Sequence, residues 1–271
     1  MKVRTSNYEI RGFTAAVSER EMAEIGRRHG RPVFADLGSG ALVDLAQFGL
    51  PPEPTPQEVL GVGVDVVSFS GDKLLGGPQV GVIAGRRDLI RRIRRNPLLR
   101  ALRVDKLRLA ALTAVLRLYS NPEGLAEKVP ALRVLTRPLE KIEAVVKQVR
   151  PIMENLFAGR AEVREVRCES QVGSGALPLD CLPSAGIQIL PTNTAKPGNA
   201  VIALARQLRA LPIPVIGRIE KDALLLDFRC LEELELMSFI GQLETKKNQE
   251  ENRPRWAAWT SNPLGGVDRP R

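Results

Sequence analysis

The sequence of 271 residues is poor in the side chains that bind metals. It contains one histidine, His29, and three cysteines, Cys168, Cys181 and Cys230. A single histidine excludes a histidine-rich metal site and weakens any serine–histidine–aspartate interpretation. The cysteines have neither metal-ligand nor CxxC spacing, and their odd number is typical of reduced thiols in the cytoplasm. We therefore expect a cytoplasmic protein without a metal site.

Long apolar runs are also missing. No stretch of about 18 apolar residues occurs, so neither a transmembrane helix nor a membrane partner is expected. The amino-terminal sequence MKVRTSNYEIRGF lacks the apolar centre of a signal peptide. With 44% hydrophobic and 26% charged residues, the chain has the usual composition of a globular protein with one large domain or two small ones.

Positive charge is concentrated in one segment. The net charge is +9, and residues 86–108 contain nine arginines and one lysine against Asp88 and Asp105. A local excess of this size indicates an anionic partner such as phosphate or nucleic acid. The alternative is a solvated, arginine-rich helix face.

Helical and strand patterns alternate through the first half of the chain, which indicates a layered α/β domain. His29 is expected to cap the first helix rather than to act in catalysis, and Thr55 is expected to cap the second. The predicted elements are a helix over 17–29, a strand over 32–37, a helix over 56–60, and strands over 62–69 and 80–84.

A basic helix is predicted over 88–95, and a longer one is expected to begin at Asn96-Pro97 and to run to about Tyr119. Its buried side would carry Leu102, Leu109, Leu112 and Leu116. A long helix over 136–157 then leads into a C-terminal unit of α+β pattern. That unit has predicted strands over 161–167 and 185–190, a helix over 199–208, a hairpin over 214–228 and a final helix over 231–243.

Lys73 is the residue that most strongly suggests chemistry. It follows the strand over 62–69, in the turn Ser70-Gly71-Asp72-Lys73-Leu74-Leu75-Gly76-Gly77. A lysine held at a strand end and partly removed from water can act as a nucleophile toward an aldehyde. The alternative is an ordinary surface lysine in a loop.

Asp36 lies at the end of the preceding predicted strand. The ends of two parallel strands open on the same edge of a sheet, where ligands bind, so Asp36 is expected near Lys73. A carboxylate that pairs with a pyridine nitrogen, beside an aldehyde-binding lysine, is what pyridoxal phosphate requires. Ser68 and Ser70 are candidate donors to the cofactor phosphate. Ordinary turn chemistry is the alternative for the serines, and a cap for the turn at Gly38–Gly40 is the alternative for Asp36.

Arg100 and Arg103 are candidates for binding an oxyanion. Three residues apart near the start of a predicted helix, they would share one face beside exposed helix N–H groups. Arginine forks fit phosphate-like oxyanions well. A dimer interface or a surface ion-pair network is the alternative.

Two long blocks resemble the bacterial selenocysteine synthases, the L-seryl-tRNA(Sec) selenium transferases. The first is SFSGDKLLGGPQ at 68–79 and the second is NPLLRALRVDK at 96–106. Shorter similar stretches bring the resemblance to roughly residues 2–245; they lie at 5–8, 36–40, 53–55 and 214–219.

The resemblance implies an α/β fold of the aspartate-aminotransferase-like class, that of fold-type-I pyridoxal-phosphate transferases. The chain would hold a partial large domain plus a small α+β C-terminal domain. Residues 1–130 would be the C-terminal half of the large, cofactor-binding domain and residues 131–245 the small domain. Residues 246–271 are expected to form a disordered tail in which Trp256 and Trp259 could serve as anchors.

The resemblance also implies roles for the candidate residues. Lys73 would bind the cofactor aldehyde, and Asp36 would pair with the ring nitrogen. Asp72 would assist proton transfer or hold the tRNA-linked substrate. Arg100 and Arg103 would bind selenophosphate. The reaction of the family eliminates water from seryl-tRNA(Sec) and adds selenium, in a homo-oligomer with its active site at the dimer interface.

The similar region begins inside the cofactor domain of the family. The helical domain that grips tRNA and the first half of the cofactor domain are not represented, so we expect the chain alone to have little or no activity. Two alternatives stay open at this point. One is a pyridoxal-phosphate lyase acting on a small amino acid or an amino-sugar phosphate. The other is a non-catalytic RNA-binding module based on the basic segment 86–108.

Overall fold

The computed structural model of the chain describes residues 1–4, 13–172, 177–192 and 194–251. Two compact units are present. Unit 1 consists of residues 1–138 and 169–183, and unit 2 of residues 139–168 and 184–271. The chain first leaves unit 1 after Pro138 and returns to it over residues 169–183. The predicted domain boundary at 130 stays a prediction.

A four-stranded sheet forms the centre of unit 1, in the order β1-β2-β3-β4. β2 and β3 pair in parallel, as expected for the two strands that lead to Asp36 and Lys73. β1 is also parallel to β2, whereas β4 is antiparallel to β3. The connection between β3 and β4 is too short for the crossover that a parallel pair needs. The strands are β1 (Lys2–Val3), β2 (Phe34–Gly38), β3 (Val66–Ser70) and β4 (Gly81–Gly85).

The first two α-helices of unit 1 begin at capping residues. Ser18 and Thr55 each form a capping box with a glutamate three residues later, and His29 caps the end of the first helix as predicted. A short 3-10 helix spans Leu45–Phe48. The α-helices of unit 1 are α1 (Glu19–Arg28), α2 (Pro56–Gly61), α3 (Arg87–Arg94), α4 (Leu99–Leu102), α5 (Lys106–Tyr119), α6 (Leu125–Lys128) and α7 (Pro130–Leu135).

The prediction of one helix from Asn96 to Tyr119 was wrong. The short helix α4 ends at Leu102, and Arg103 has an extended backbone. Asp105 then caps α5, because its carboxylate accepts hydrogen bonds from the backbone N–H groups of Leu107 and Arg108 at 2.9 and 3.0 Å. An aspartate that can satisfy these N–H groups favours a new helix start over continuation.

The predicted buried side of this helix was also largely wrong. Leu102 is 75% exposed and Leu109 is 55% exposed, and Leu116 is exposed as well. Leu112 does pack against the core beside the sheet, together with Val115. Leucine spacing identifies an apolar helix face but does not show whether another element of the chain packs against that face.

Two apolar clusters stabilise unit 1, and the loop after β3 contributes to both. Leu75 belongs to the cluster between the sheet and its helices, and Leu74 belongs to a second cluster under α6 and α7. The first cluster includes Val33, Ala35, Leu37, Val59, Val67 and Phe69; the second includes Ala41, Leu45, Leu50, Leu125, Val129 and Leu132.

Unit 2 has the predicted α+β composition, with the sheet order β5-β6-β8-β7. Helix α8 buries Ile142, Val145, Val149 and Met153 at helical spacing, in a cluster that includes residues of the strands, of α9 and of α10. The elements are α8 (Leu139–Leu156), β5 (Ala161–Val172), β6 (Leu177–Pro191), α9 (Pro197–Arg209), β7 (Arg218–Glu220), β8 (Ala223–Asp227) and α10 (Glu233–Glu251).

Three further expectations concern the C-terminal residues, the cysteines and the membrane. Residues 246–251, expected in the disordered tail, are helical, and the rest of that tail with its two tryptophans lies outside the described residues. Cys168 and Cys230 carry thiols rather than disulfides, while the Cys181 side chain is not described. Among the helices that the structure describes, none combines the length and apolar character needed to cross a membrane.

Candidate functional site

The parallel pairing of β2 with β3 brings Asp36 and Ser68 together. The two residues are register partners, and the Ser68 hydroxyl donates a hydrogen bond of 2.8 Å to the Asp36 carboxylate. Alternate residues of each strand face the core, among them Ala35 and Val67, so the polar residues share the other, half-buried face. This alternation leaves an oriented carboxylate at the end of the sheet.

The loop from Gly71 to Val80, which carries Lys73, is fixed by its own backbone. The Gly71 N–H donates to the Val80 carbonyl at 2.9 Å, and the Gly77 N–H donates to the Gly71 carbonyl at 2.7 Å. The Gly76 N–H donates to the Lys73 carbonyl at 2.9 Å, so the lysine itself lies in a closed turn. The Lys73 side chain is half-buried, while Asp72 is exposed.

A further backbone hydrogen bond joins this loop to the turn after β2. The Leu74 N–H donates to the Ser39 carbonyl at 3.0 Å. The turn that follows Asp36 and the residue that follows Lys73 are thus neighbours, in line with the expectation that both strand ends open on one edge. Ser39 is buried, and its hydroxyl donates to the Glu53 carboxylate at 3.0 Å.

Tyr119, which sequence reasoning missed, supports the lysine loop from the end of α5. Its hydroxyl donates to the Leu75 carbonyl at 3.0 Å and lies 3.4 Å from the Leu74 carbonyl. Burial raises the pKa of this phenol to about 12, so it remains a donor at neutral pH. Nothing in the spacing of Tyr119 from Lys73 could have revealed this contact.

Gly40 closes the turn after β2 against the end of β3. Its φ of +76° is in the left-handed region, and a Cβ atom there would lie 2.3 Å from the Ser70 carbonyl oxygen. A side chain would therefore be strained in conformation and blocked by backbone. The sequence showed a glycine-rich turn at this point, but not the close approach that requires glycine.

Ser68 and Ser70 were predicted to donate to the cofactor phosphate, and the structure gives a different acceptor for Ser68. A hydroxyl has one proton to donate, and Ser68 donates it to Asp36. The expectation that Ser68 contacts the cofactor phosphate stays a prediction. So does the corresponding role of Ser70, which is half-buried at the last position of β3.

Arg100 and Arg103 do not share one helix face, because Arg103 follows α4 in an extended conformation. They nevertheless line the same surface depression, which has a volume of about 380 Å³. None of its lining residues comes from β2, β3 or the loop of Lys73. The other lining residues are Arg94, Asn96, Pro97 and Leu99.

Chemically, these residues form two groups. Asp36 can hold a cationic ring nitrogen, and Lys73 can react with an aldehyde beside it. The two arginines can hold a phosphate-like anion. The first group fits the ring and aldehyde of pyridoxal phosphate, because a half-buried carboxylate oriented by a hydroxyl lies next to the turn that holds the lysine loop.

Comparisons with known proteins agree with the resemblance seen in the motifs. A family model described as SelA, L-seryl-tRNA selenium transferase, matches residues 1–232. L-seryl-tRNA(Sec) selenium transferases from Serratia proteamaculans and Klebsiella pneumoniae are 54% and 56% identical to the chain over 233 residues. These alignments cover 86% of the chain and 50% of each relative. The chain therefore spans about half the length of the curated relatives it matches.

Among solved structures, a D-glucosaminate-6-phosphate ammonia-lyase resembles the chain with a TM-score of 0.51 and 17% identity. The alignment covers 93% of this chain and 57% of that structure. At this identity the likeness concerns the fold alone. Together with the family match, it confirms the predicted class, the α/β fold of fold-type-I pyridoxal-phosphate enzymes.

Proposed function

Because the chain belongs to the L-seryl-tRNA selenium transferase family, we propose that it carries part of the active site for converting seryl-tRNA(Sec) to selenocysteyl-tRNA(Sec). Selenophosphate is the proposed selenium donor. The observation that carries the proposal is the Asp36–Ser68 hydrogen bond beside the fixed loop of Lys73. Since only half of the related proteins is represented, we expect little or no turnover by the chain alone.

Pyridoxal phosphate is the cofactor of this family. When bound, it supplies an electron sink that acidifies the α-proton of the amino acid. In the proposal the Asp36 carboxylate holds the protonated ring nitrogen, and the Ser68 hydroxyl keeps that carboxylate in one orientation. The Lys73 amine is the group that binds the aldehyde carbon.

The same residues account for the proton movements. The Lys73 Nζ is proposed to take the α-proton of the seryl group and to pass a proton to the seryl hydroxyl, which leaves as water. The selenium of selenophosphate then adds to the β-carbon, a proton returns to the α-carbon, and water cleaves the Se–P bond to release phosphate. Asp72, exposed next to Lys73, is proposed to assist this proton transfer or to hold the tRNA-linked substrate. The backbone hydrogen bonds of the loop hold the Lys73 backbone next to the turn that follows Asp36.

Arg100 and Arg103 are proposed to bind selenophosphate. In the part of the chain that the structure describes, neither guanidinium has an ion-pair partner, and both border one depression. Arginine pairs of this kind provide planar donor forks for a tetrahedral anion. Neither β2 nor β3 lines the depression. The proposal therefore includes a route by which the bound selenophosphate reaches Lys73.

We also propose that the chain acts in the cytoplasm, where aminoacyl-tRNAs are used, and as a homo-oligomer with the active site at the dimer interface. Leu102 and Leu107 are 75% and 80% exposed, an apolar surface of the kind that subunit contacts cover. Light scattering tests this assignment. A stable, soluble monomer would contradict it.

Borohydride reduction in the presence of pyridoxal phosphate tests the cofactor site directly. The reduction fixes the phosphopyridoxyl group on the lysine that bound it, and peptide mapping identifies that lysine. We expect the label on Lys73 in the wild-type chain. Lys73→Ala should abolish it, while Lys106→Ala, an exposed lysine of the same unit, should leave it unchanged.

The outcomes separate the two cofactor-binding interpretations from the non-catalytic one. A folded chain without label at Lys73 would contradict the cofactor site, and with salt-dependent RNA binding it would favour the non-catalytic module. Label at Lys73 is compatible with both the transferase and the lyase. The identity of 54% and 56% to selenium transferases favours the transferase.

A further inference from the structure

Helix α3 presents a row of arginines that extends beyond the site described above. Arg87, Arg91 and Arg94 follow one another at spacings of four and three residues, which places them on one helix face. Arg95, at the C-cap, continues the row. All four are exposed, whereas Leu89 and Ile90 of the same helix are partly buried.

These arginines have no acidic partners within the described residues, unlike the arginines at the two ends of the basic segment. Arg86 donates to Asp65 and to Asp88, each at 2.7 Å. Arg108 pairs with Asp105 at 3.1 Å. The carboxylates next to the row are therefore already engaged, and its positive charge stays uncompensated.

The row is continuous with the depression that holds Arg100 and Arg103, because Arg94 lines that depression as well. At a rise of about 1.5 Å per residue, Arg87 lies about 10 Å along the helix from Arg94. A small anion needs only one end of such a row. A polyanion with regularly spaced phosphates can use all of it.

We propose that the arginine row of α3 binds the phosphate backbone of the RNA that carries the aminoacyl group, next to the anion-binding depression. This inference rests on the proposed function and adds a contact surface for the RNA. Arginine suits the task because each guanidinium can donate two parallel hydrogen bonds to one phosphate. Because backbone contacts of this kind carry no sequence information, the row contributes affinity rather than tRNA identity.

The experiment compares two triple variants of equal charge. The test variant is R87Q/R91Q/R95Q, which leaves Arg94 and the depression intact. The control is R20Q/R27Q/R28Q, which removes three exposed arginines from α1 in the same unit. Binding of a fluorescently labelled tRNA(Sec) transcript is followed by anisotropy over a range of salt concentrations.

We expect the test variant to bind the transcript about tenfold more weakly at low salt, with the slope of log affinity against log salt reduced by about 2 to 3. The control should change affinity less than about threefold, as expected for charges away from the bound backbone. Equal behaviour of the two variants, or a wild-type chain without salt-dependent binding, would overturn the inference.

Two further readouts on the same preparations separate this inference from others. If the test variant changes oligomeric state while its RNA affinity is unchanged, the row contacts protein and the inference fails. Labelling of Lys73 by pyridoxal phosphate and borohydride should be identical in both variants. If the wild-type chain binds RNA but acquires no label at Lys73, the proposed function is overturned and the inference about the arginine row is not.

Discussion

The lysine loop and the arginine segment belong to the same unit but are held in opposite ways. Residues 71–80 are fixed by backbone hydrogen bonds, by two buried leucines and by the hydroxyl of Tyr119. Residues 91–111 are exposed throughout. Bond-forming chemistry needs groups fixed within about 0.5 Å, and these contacts restrain the backbone of the lysine loop. The arginine segment is instead exposed, as the proposed contacts with an anion and with RNA require.

The largest difference between the two regions is expected when one leucine of each is replaced and the free energy of unfolding is compared. Leu75→Ala removes a fully buried side chain between the sheet and its helices, and we expect a loss of about 2–5 kcal/mol in the free energy of unfolding. Leu107→Ala, at a residue 80% exposed, should change it by less than about 0.5 kcal/mol. Urea unfolding followed by circular dichroism measures both. Similar losses would mean that the exposed segment is packed in solution.

Two glycines sharpen the comparison further. Gly40→Ala should cost about 3 kcal/mol, because the left-handed backbone and the Ser70 carbonyl both oppose a Cβ atom. Gly30 has a similar φ of +59°, but a Cβ atom at this position would have no neighbour within 4 Å, so Gly30→Ala should cost only about 1 kcal/mol. The same unfolding measurement applies, with Lys73 labelling as a second readout. Equal costs would show that the turn after β2 relaxes easily.

Removing the Tyr119 hydroxyl should have a smaller effect. Tyr119→Phe leaves the Leu75 carbonyl without its donor, at an expected cost of about 1 kcal/mol, and should slow labelling of Lys73. Thr113→Val is the matched control in α5, since it removes an exposed hydroxyl that donates to the Leu109 carbonyl at 2.8 Å. Its effect should stay within about 0.5 kcal/mol. Normal labelling kinetics in the tyrosine variant would argue against support of the loop by Tyr119.

The smallest effect concerns alkaline pH. Burial raises the pKa of Tyr119 to about 12, above the value of about 10 expected for an unfolded chain. The contribution of this group to stability is thus complete below about pH 10 and is lost as the pH rises toward 12. An ultraviolet difference titration of wild type against Tyr119→Phe should show a midpoint near 12. A midpoint near 10 would place the phenol in water.

The sequence was informative where local chemistry decides the structure. The glycine turns after two apolar strands predicted that Asp36 and Lys73 open on one edge, and the caps at Thr55 and His29 followed from residue type. The alternating helical and strand patterns predicted a layered α/β domain, and the long motif blocks implied its fold-type-I class. Such features depend on residues that are neighbours along the chain.

The remaining features depend on contacts between distant segments or on competing caps. Tyr119 reaches Leu75 across 44 residues, and no local pattern encodes that pairing. Asp105 divides the predicted helix because its side chain offers an alternative cap, a competition that leucine spacing conceals. The hydrogen bond from Ser68 to Asp36 likewise depends on strand register, which was not predicted.

The different spans of the two strand pairings also have a consequence for the order of folding. Ser70 pairs with Gly81 across 11 residues, whereas Asp36 and Ser68 meet across 32. Closing the longer loop costs about 1 kcal/mol more chain entropy. The hairpin that carries Lys73 is therefore favoured to form early, before the parallel pairing delivers its carboxylate. In a nascent chain, the turn that holds Lys73 would thus form before the Asp36 carboxylate is brought next to it.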